Sequence, residues 1–237
     1  MRNSIIIIKV LVIMLAIHFS FVTAYAEVNL NRIDGIRSPI GDFTFTITTE
    51  SVGDKPAKLE IWVKDSKRSL IRYIKPKGRS MLFIDQNMWI YIAGSRRALR
   101  ISPRQRLLGG ASNADIARLH YADDYVIETT EDTFDGKRIL TLKRKSKKTA
   151  YASIKLTIAG DEGRPVKAVF YDSSGDRAIK TAYFEEYLPV LGRSRPTQFR
   201  IIDHLDRDKE TILTYSDFKF EETPDQWFNP AYLKRLK

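Results

Sequence analysis

The sequence predicts a mainly β protein built on one large, curved antiparallel sheet, and three observations indicate it. Apolar and polar residues alternate with a period of two along most of the chain after residue 41. Short segments rich in Gly, Pro, Asp and Ser separate these stretches. Helical periodicity is scarce, and no linker or repeat divides the chain. A meander of about eleven strands should curl into a barrel or an open half-barrel, because large twisted sheets rarely stay flat.

The first 26 residues have the features of a secretion signal. Arg2 and Lys9 supply positive charge, an apolar run follows at residues 10–17, and Ala24-Tyr25-Ala26 fits a small-x-small cleavage pattern. A membrane anchor is the alternative, but the run is shorter than the roughly 20 residues that a spanning helix needs. We therefore expect residues 1–26 to be a cleaved signal peptide, and residues 27–237 to form a single domain in the periplasm.

The predicted strands follow one another along the mature chain. Each is marked by alternation or by a short apolar run, and they cover residues 43–47, 59–63, 81–84, 88–92, 125–131, 137–144, 151–158, 166–171, 178–187, 197–203 and 210–220. Asp135-Gly136, between two of them, predicts a type I′ hairpin turn.

One or two short helices are expected to form a partial lid over the sheet. Ser112 or Asn113 could cap a helix that ends at His120, within a segment, residues 103–120, that is a candidate lid. Asn229 could cap a last turn that runs to Leu236, with Pro230 at its first position.

Composition narrows the possible chemistry. The chain has no cysteine, which excludes disulfides and thiolate chemistry, and its formal net charge is +11. The basic excess favours anionic lipids or acidic partners, or is a solvated surface, whereas an envelope location argues against nucleic acid. His120 and His204 lack a histidine partner at metal-ligand spacing, and nucleophile-elbow and phosphate-loop motifs are absent. We predict no enzymatic activity, no metal and no cofactor.

Two sets of residues are candidates for a binding site. The residues of the first set would either line a hydrophobic cavity in the concave face or pack as ordinary core residues. Its members are Phe43, Phe45, Ile61, Trp62 (if the register differs), Phe83, Trp89 and Tyr91. Alternation shows which of them share a face, but not which face is concave. The second set is Arg96, Arg97 and Arg100, from a basic run whose guanidinium groups could hold a lipid headgroup, fasten a lid, or simply be solvated.

One part of the sequence carries a family resemblance. Its residues are Asn87-Met88-Trp89-Ile90-Tyr91-Ile92, Ser95-Arg96-Arg97, Arg100-Ile101-Ser102, Gly109 and Asp115-Ile116. They resemble the outer membrane lipoprotein-sorting (LolA-like) family, in a branch often associated with transporters, and the likeness extends over residues 37–228. The resemblance implies an open half-barrel, closed by helical elements, that holds acyl chains in the periplasm.

The function that this resemblance implies is carriage of a lipid, lipoprotein or other hydrophobic ligand by a protein that is monomeric when free. The alternative is a non-catalytic accessory subunit of a resistance-nodulation-division type membrane transporter. The chain departs from the family's pattern at Ala93, commonly proline, and at Gly110-Ala111-Ser112, often Ser-Asp-Phe. Residues 27–39 are also short and polar where the carriers have a long amphipathic helix. We therefore expect a small lid, or one that is built differently.

Overall fold

The fold is described from a computed structural model, over residues 28–84, 87–102, 106–108 (backbone only), 110–112, 120–147 and 149–236. The strands of this part of the chain are β1 (Phe43–Ser51), β2 (Ala57–Lys64), β3 (Arg68–Lys75), β4 (Arg79–Ile84), β5 (Asn87–Ile92), β6 (Leu99–Ile101), β7 (Arg106–Leu108), β8 (Ala111–Ser112), β9 (Tyr125–Asp132), β10 (Lys137–Arg144), β11 (Ser153–Ala159), β12 (Arg164–Tyr171), β13 (Ala178–Val190), β14 (Arg193–Asp203) and β15 (Lys209–Phe220).

Thirteen of the described strands form one antiparallel sheet in the order β6-β5-β4-β3-β2-β1-β15-β14-β13-β12-β11-β10-β9. Strands β7 and β8 form a separate hairpin. The first and last strands pair at the centre, so the two edges, β6 and β9, come from the middle of the chain. The sheet is not closed into a barrel. The predicted mainly β class and open half-barrel are therefore confirmed. We call the end with the β1–β2, β12–β13 and β14–β15 turns the upper end.

The described helices are short. Helix α1 (Leu30–Arg37) begins at Asn29, whose side chain accepts a hydrogen bond from the Asn31 amide at 2.9 Å. Helix α2 (Tyr121–Asp124) leads directly into β9. Two 3-10 turns, Asp225–Trp227 and Pro230–Arg235, end the described chain. Within the described residues, no helix combines the length and the apolar character that a membrane-spanning helix requires.

The sheet buries its inner face along most of its width and its outer face only across β2 to β5, against different partners. The inner face, which we define as the one that α1 covers, carries the larger apolar cluster, from Phe45 and Ile61 through Phe199 to Ile33 of α1. The outer face carries a smaller cluster built on Trp62, Leu70, Leu82, Phe228 and Leu233, where the two C-terminal turns pack across β2 to β5. This is why several strands are apolar on both sides.

The structure corrects several local predictions. Helix α1 and strand β3 were not expected, and Ser112 lies in a strand. The remainder of the predicted helix, residues 113–119, lies outside the described residues, as does the predicted signal peptide, residues 1–26. The Asp135-Gly136 turn is not type I′, because only Gly136 has a positive φ, 74°, and type I′ requires two such residues. The C-terminal turn is confirmed, since Asn229 accepts a hydrogen bond from the Ala231 amide at 2.9 Å and Pro230 opens the turn.

Candidate ligand-binding interior

The residues predicted to line a cavity divide between the two faces. Four of them, Phe43, Phe45, Ile61 and Phe83, lie in the cluster of the inner face. The other three, Trp62, Trp89 and Tyr91, lie in the outer cluster. There the ring of Trp62 meets Trp227 edge-on, with centroids 5.9 Å apart. Only the first four residues are thus placed to face an interior, so the predicted set cannot line one cavity.

Aromatic rings form a continuous row across the centre of the inner face. Phe45 stacks on Phe43 and Tyr215, with centroid distances of 5.7 and 5.5 Å. Tyr215 packs against Phe199 at 4.6 Å, and Phe199 meets Phe184 edge-on at 5.2 Å. The row spans β1, β15, β14 and β13, which are neighbours in the sheet. Its rings are nearly inaccessible to solvent, because the chain itself covers them. The inner face therefore offers an extended apolar surface beneath a cover.

Helix α1 is part of this cover, and a buried carboxylate ties it to α2. The Asp34 side chain is 1% exposed and accepts hydrogen bonds from the amides of Tyr121 at 2.8 Å and Ala122 at 2.7 Å. It also accepts one from Arg37 at 3.2 Å. The Arg37 guanidinium lies 3.8 Å from the centroid of the Tyr121 ring. Burial raises the pKa of Asp34, although Arg37 and the two amides act in the opposite direction.

A second contact ties the same helix to the sheet. Arg195 of β14 donates hydrogen bonds from Nη1 to the carbonyls of Gly35 and Ile36, and from Nε to the Val190 carbonyl at 3.2 Å. Burial lowers the pKa of Arg195 to about 10, and the nearby charge of Arg193 acts in the same direction. The guanidinium thus satisfies carbonyls near the end of α1, as cations at helix C-termini do. We call the contacts of Asp34 and Arg195 the α1 latch.

The three candidate arginines lie away from the inner face. Arg96 and Arg97 are exposed in the turn between β5 and β6. Arg100 pairs in register with Trp89, and residues directly opposite on neighbouring strands share a face. Its side chain therefore lies on the outer face, where it donates a hydrogen bond to Asn87. These positions do not suit contact with the headgroup of a ligand bound inside.

Sequence reasoning missed a group of polar side chains at the upper end of the inner face. Lys180 is 5% exposed, and its Nζ donates a hydrogen bond to the Tyr151 hydroxyl at 3.0 Å. The same hydroxyl lies 3.1 Å from Ser112 Oγ. Lys180 alternates with Ala182 and Phe184 along β13, so it occupies an inward position. A lysine on the apolar register of an alternating strand is the sequence signal that could have found it.

The two histidines among the described residues, His120 and His204, take part in local contacts of the fold. His204 lies between Thr181 Oγ1, 2.9 Å from Nε2, and Asp208 Oδ1, 2.5 Å from Nδ1. His120 stands at the N-cap of α2. Over the described ranges, no group of three His, Cys, Asp or Glu residues is arranged to hold a metal ion.

An open antiparallel half-barrel with an apolar inner face under short covering elements defines a LolA-like fold. A LolA superfamily protein from Nitrosomonas europaea is 29% identical, with a TM-score of 0.77 over 86% of this chain and 97% of its own. A DUF1329 family protein from Desulfovibrio piger is 22% identical, with a TM-score of 0.69 over 86% and 95%. A putative outer membrane lipoprotein-sorting protein domain from Vibrio parahaemolyticus is 20% identical, with a TM-score of 0.67 over 87% and 100%.

A family model described as "uncharacterized protein" matches residues 65–235, and the chain belongs to the family of that model. The likeness to the LolA superfamily protein confirms the resemblance found in the sequence. A comparison with curated proteins finds no match.

Proposed function

We propose that this protein is a periplasmic binding protein, not an enzyme, that carries a lipid, the acyl chain of a lipoprotein, or another hydrophobic ligand inside the half-barrel. The observation that carries the proposal is the aromatic row from Phe43 to Phe184, which runs across four strands beneath a latched cover. The LolA superfamily relative supports it, and the lipoprotein-sorting domain shares the fold. The secretion signal of the sequence supports a periplasmic location.

The inner face fits an acyl chain for a simple energetic reason. Each buried methylene group contributes about 0.8 kcal/mol, so a long chain can offset the cost of displacing the cover. Rings stacked side by side present a surface of low conformational entropy, and such a surface loses little freedom when a ligand binds. We infer that the ligand replaces contacts that the cover makes with the row, and that the free protein is a monomer.

The first test is native mass spectrometry with lipid extraction on protein purified gently from an envelope fraction. A stoichiometric lipid or acylated species is expected. The second test is titration with the fluorescent apolar probe N-phenylnaphthylamine, which needs no knowledge of the natural ligand. If neither a bound lipid nor saturable probe binding is observed, the carrier function is refuted.

A matched pair of variants locates the probe. Met81 and Leu82 are neighbours in β4, both with 0% exposure, but Met81 faces the inner cluster and Leu82 the outer one. Each alanine substitution should cost about 2–5 kcal/mol of stability. Only Met81→Ala should change the affinity for the probe, because only it alters the interior. Equal effects of Met81→Ala and Leu82→Ala on probe binding would contradict an interior site.

A second candidate function is that of an accessory subunit of a membrane transporter of the resistance-nodulation-division type. The observation that favours it is the edge strand β6, where Leu99 is 52% exposed beside exposed Arg96 and Arg97. Exposed edges can accept a partner strand, and surface arginines would make the association salt-sensitive. Salt-sensitive co-purification with a membrane protein, lost in an Arg96→Ala/Arg97→Ala variant, would support this function. Co-purification that the variant leaves unchanged would exclude this edge as the docking surface.

A further inference from the structure

The polar side chains at the upper end of the inner face form one connected group, which we call the Lys180 cluster and define as Lys180, Tyr151 and Ser112. The Tyr151 hydroxyl is its centre, within 3.0 Å of Lys180 Nζ and 3.1 Å of Ser112 Oγ. Tyr125 holds Tyr151 in place by donating a hydrogen bond from its own hydroxyl to the Tyr151 carbonyl at 3.3 Å. All four residues are buried.

The cluster adjoins the apolar surface of the proposed carrier. Tyr151 belongs to the inner apolar cluster, and its ring packs on Phe170 with centroids 4.6 Å apart. Lys180 lies four residues from Phe184, the last ring of the aromatic row, on the same side of β13. A single surface therefore passes from aromatic rings to an ammonium group and two hydroxyls. That is the polarity pattern of an amphiphile with one charged end.

Burying an ammonium group costs several kcal/mol unless other groups compensate for the lost water. Asp203 stands directly opposite Lys180 on β14, so the two charges can offset each other in the free protein. The ammonium group nevertheless has three donors, and each hydroxyl has one. A carboxylate or phosphate accepts from several donors at once, and it gains most where water is excluded. The cluster is therefore suited to an anionic headgroup.

The chain also provides a small cover over this end. The Gly110 amide donates a buried hydrogen bond to Thr211 Oγ1 at 2.8 Å, and Ala111 is fully buried in the inner cluster. A Cβ at position 110 would lie only 2.9 Å from the Cβ of Asp203, so only glycine allows this close approach. Residues 110–112 thus rest directly on the polar end of the interior and contribute Ser112 to the cluster.

We propose that the Lys180 cluster binds the carboxylate or phosphate headgroup of an amphiphile whose acyl chain lies along the aromatic row. This inference rests on the proposed carrier function and specifies the class of ligand that the carrier takes. It assigns recognition of charge to Lys180, Tyr151 and Ser112, and recognition of the chain to the rings.

The test compares three ligands with the same alkyl chain: dodecanoate, dodecyl phosphate and dodecanol. Each is titrated against the protein with bound N-phenylnaphthylamine, and displacement gives its affinity. The wild-type protein should bind the preferred anion about tenfold more tightly than the alcohol, which is the value of one charge-assisted hydrogen bond in a buried site. The ranking of dodecanoate and dodecyl phosphate distinguishes a carboxylate source from a phosphate source.

Substitution of the lysine then tests the cluster itself. Lys180→Met should remove most of the preference for the anion while changing the affinity for dodecanol by less than about twofold. The matched control is Lys167→Met, since Lys167 lies on β12 next to inward-facing Ala168 and faces outward, toward the Tyr183 ring. Tyr151→Phe keeps the ring and removes the hydroxyl. It provides the same test if a thermal melt shows that Lys180→Met does not fold.

The outcomes separate the two proposals. If the wild-type protein binds dodecanol as tightly as either anion, the inference is overturned while the carrier function stands. The inference also fails if Lys180→Met, or Tyr151→Phe in its place, leaves the preference for the anion unchanged. If the probe binds but none of the three ligands displaces it, the inference is overturned while the carrier function stands. If the probe does not bind saturably and no lipid co-purifies, both proposals are refuted.

Discussion

The α1 latch gives the sharpest prediction about stability, through Asp34→Ala. This substitution leaves the buried amides of Tyr121 and Ala122 without their acceptor, and each such orphaned donor costs about 1–3 kcal/mol. It also removes the carboxylate partner of buried Arg37, and breaking a buried pair in this way costs about 3–5 kcal/mol. The two losses overlap because they share one side chain. Arg37 also keeps its contact with the Tyr121 ring. We therefore expect a total of about 3–5 kcal/mol.

The measurement is unfolding by urea and by heat, followed by far-UV circular dichroism. A loss of that size should lower the melting temperature by about 10 °C in a chain of this length. The control is Asp54→Ala, which removes the carboxylate of an ion pair with Lys209 at 2.9 Å, where both side chains are partly exposed. Such a pair contributes at most about 1 kcal/mol. If Asp34→Ala were no more destabilising than Asp54→Ala, the latch would not hold the helix and the reasoning would be refuted.

Three further predictions concern Asp34 in the α1 latch, Gly110 in the cover over the upper end, and Phe228 in the outer cluster. Because burial raises the pKa of Asp34 above its ordinary value of 3.8, the folded state holds this proton more tightly, and the contribution of Asp34 to the unfolding free energy falls as pH rises from 3.8 through the folded pKa. Asp34→Asn should remove this fall. The difference in unfolding free energy between wild type and variant, measured by urea titration, should therefore vary with pH only in this window. A difference that is constant over pH would contradict the prediction. Gly110→Ala should destabilise the protein by about 1–3 kcal/mol through the contact with Asp203, as measured by thermal melting. An unchanged melting temperature would show that residues 110–112 can shift away from Asp203 at no cost. Phe228→Ala should cost about 3–5 kcal/mol from the outer cluster yet leave probe binding unaltered, and a change in probe affinity would indicate that the two faces are coupled.

The sheet could be predicted from the sequence because alternation is a local property. Strand β10 begins and ends where the pattern placed it, at Lys137 and Arg144. Strand β3 was missed because it is apolar on both sides: Leu70 packs on the outer face, while Ile71 and Tyr73 pack on the inner face. The apolar residues of β3 therefore neither alternate with polar ones nor form a continuous run, so its sequence matches neither strand template.

The site could be predicted only in part, because its decisive contacts join distant residues. Helix α1 has Gly35 in its interior, which lowers its intrinsic propensity, and depends on Arg195 and on α2 for its position. Ile61 and Trp62 could not be distinguished as inward residues, because at β2 the C-terminal turns bury the outer face nearly as completely as the inner apolar cluster buries the inner one. Neither effect leaves a local signal in the sequence.

The latch also bears on how a carrier of this kind would open. Release of α1 breaks about four hydrogen bonds, from Tyr121 and Ala122 to Asp34 and from Arg195 to Gly35 and Ile36, and each bond exchanged for water costs about 0.5–1.5 kcal/mol net. These hydrogen bonds alone total about 2–6 kcal/mol, which equals the burial of roughly three to eight methylene groups. An acyl chain of more than about eight carbons exceeds this part of the cost and can also replace the apolar contacts of α1, such as those of Ile33. Replacing Asp34 by alanine, in contrast, leaves the amides of Tyr121 and Ala122 without an acceptor inside the closed protein, where water cannot take the place of the carboxylate. The same contacts can therefore be indispensable to the closed fold and still yield to a ligand.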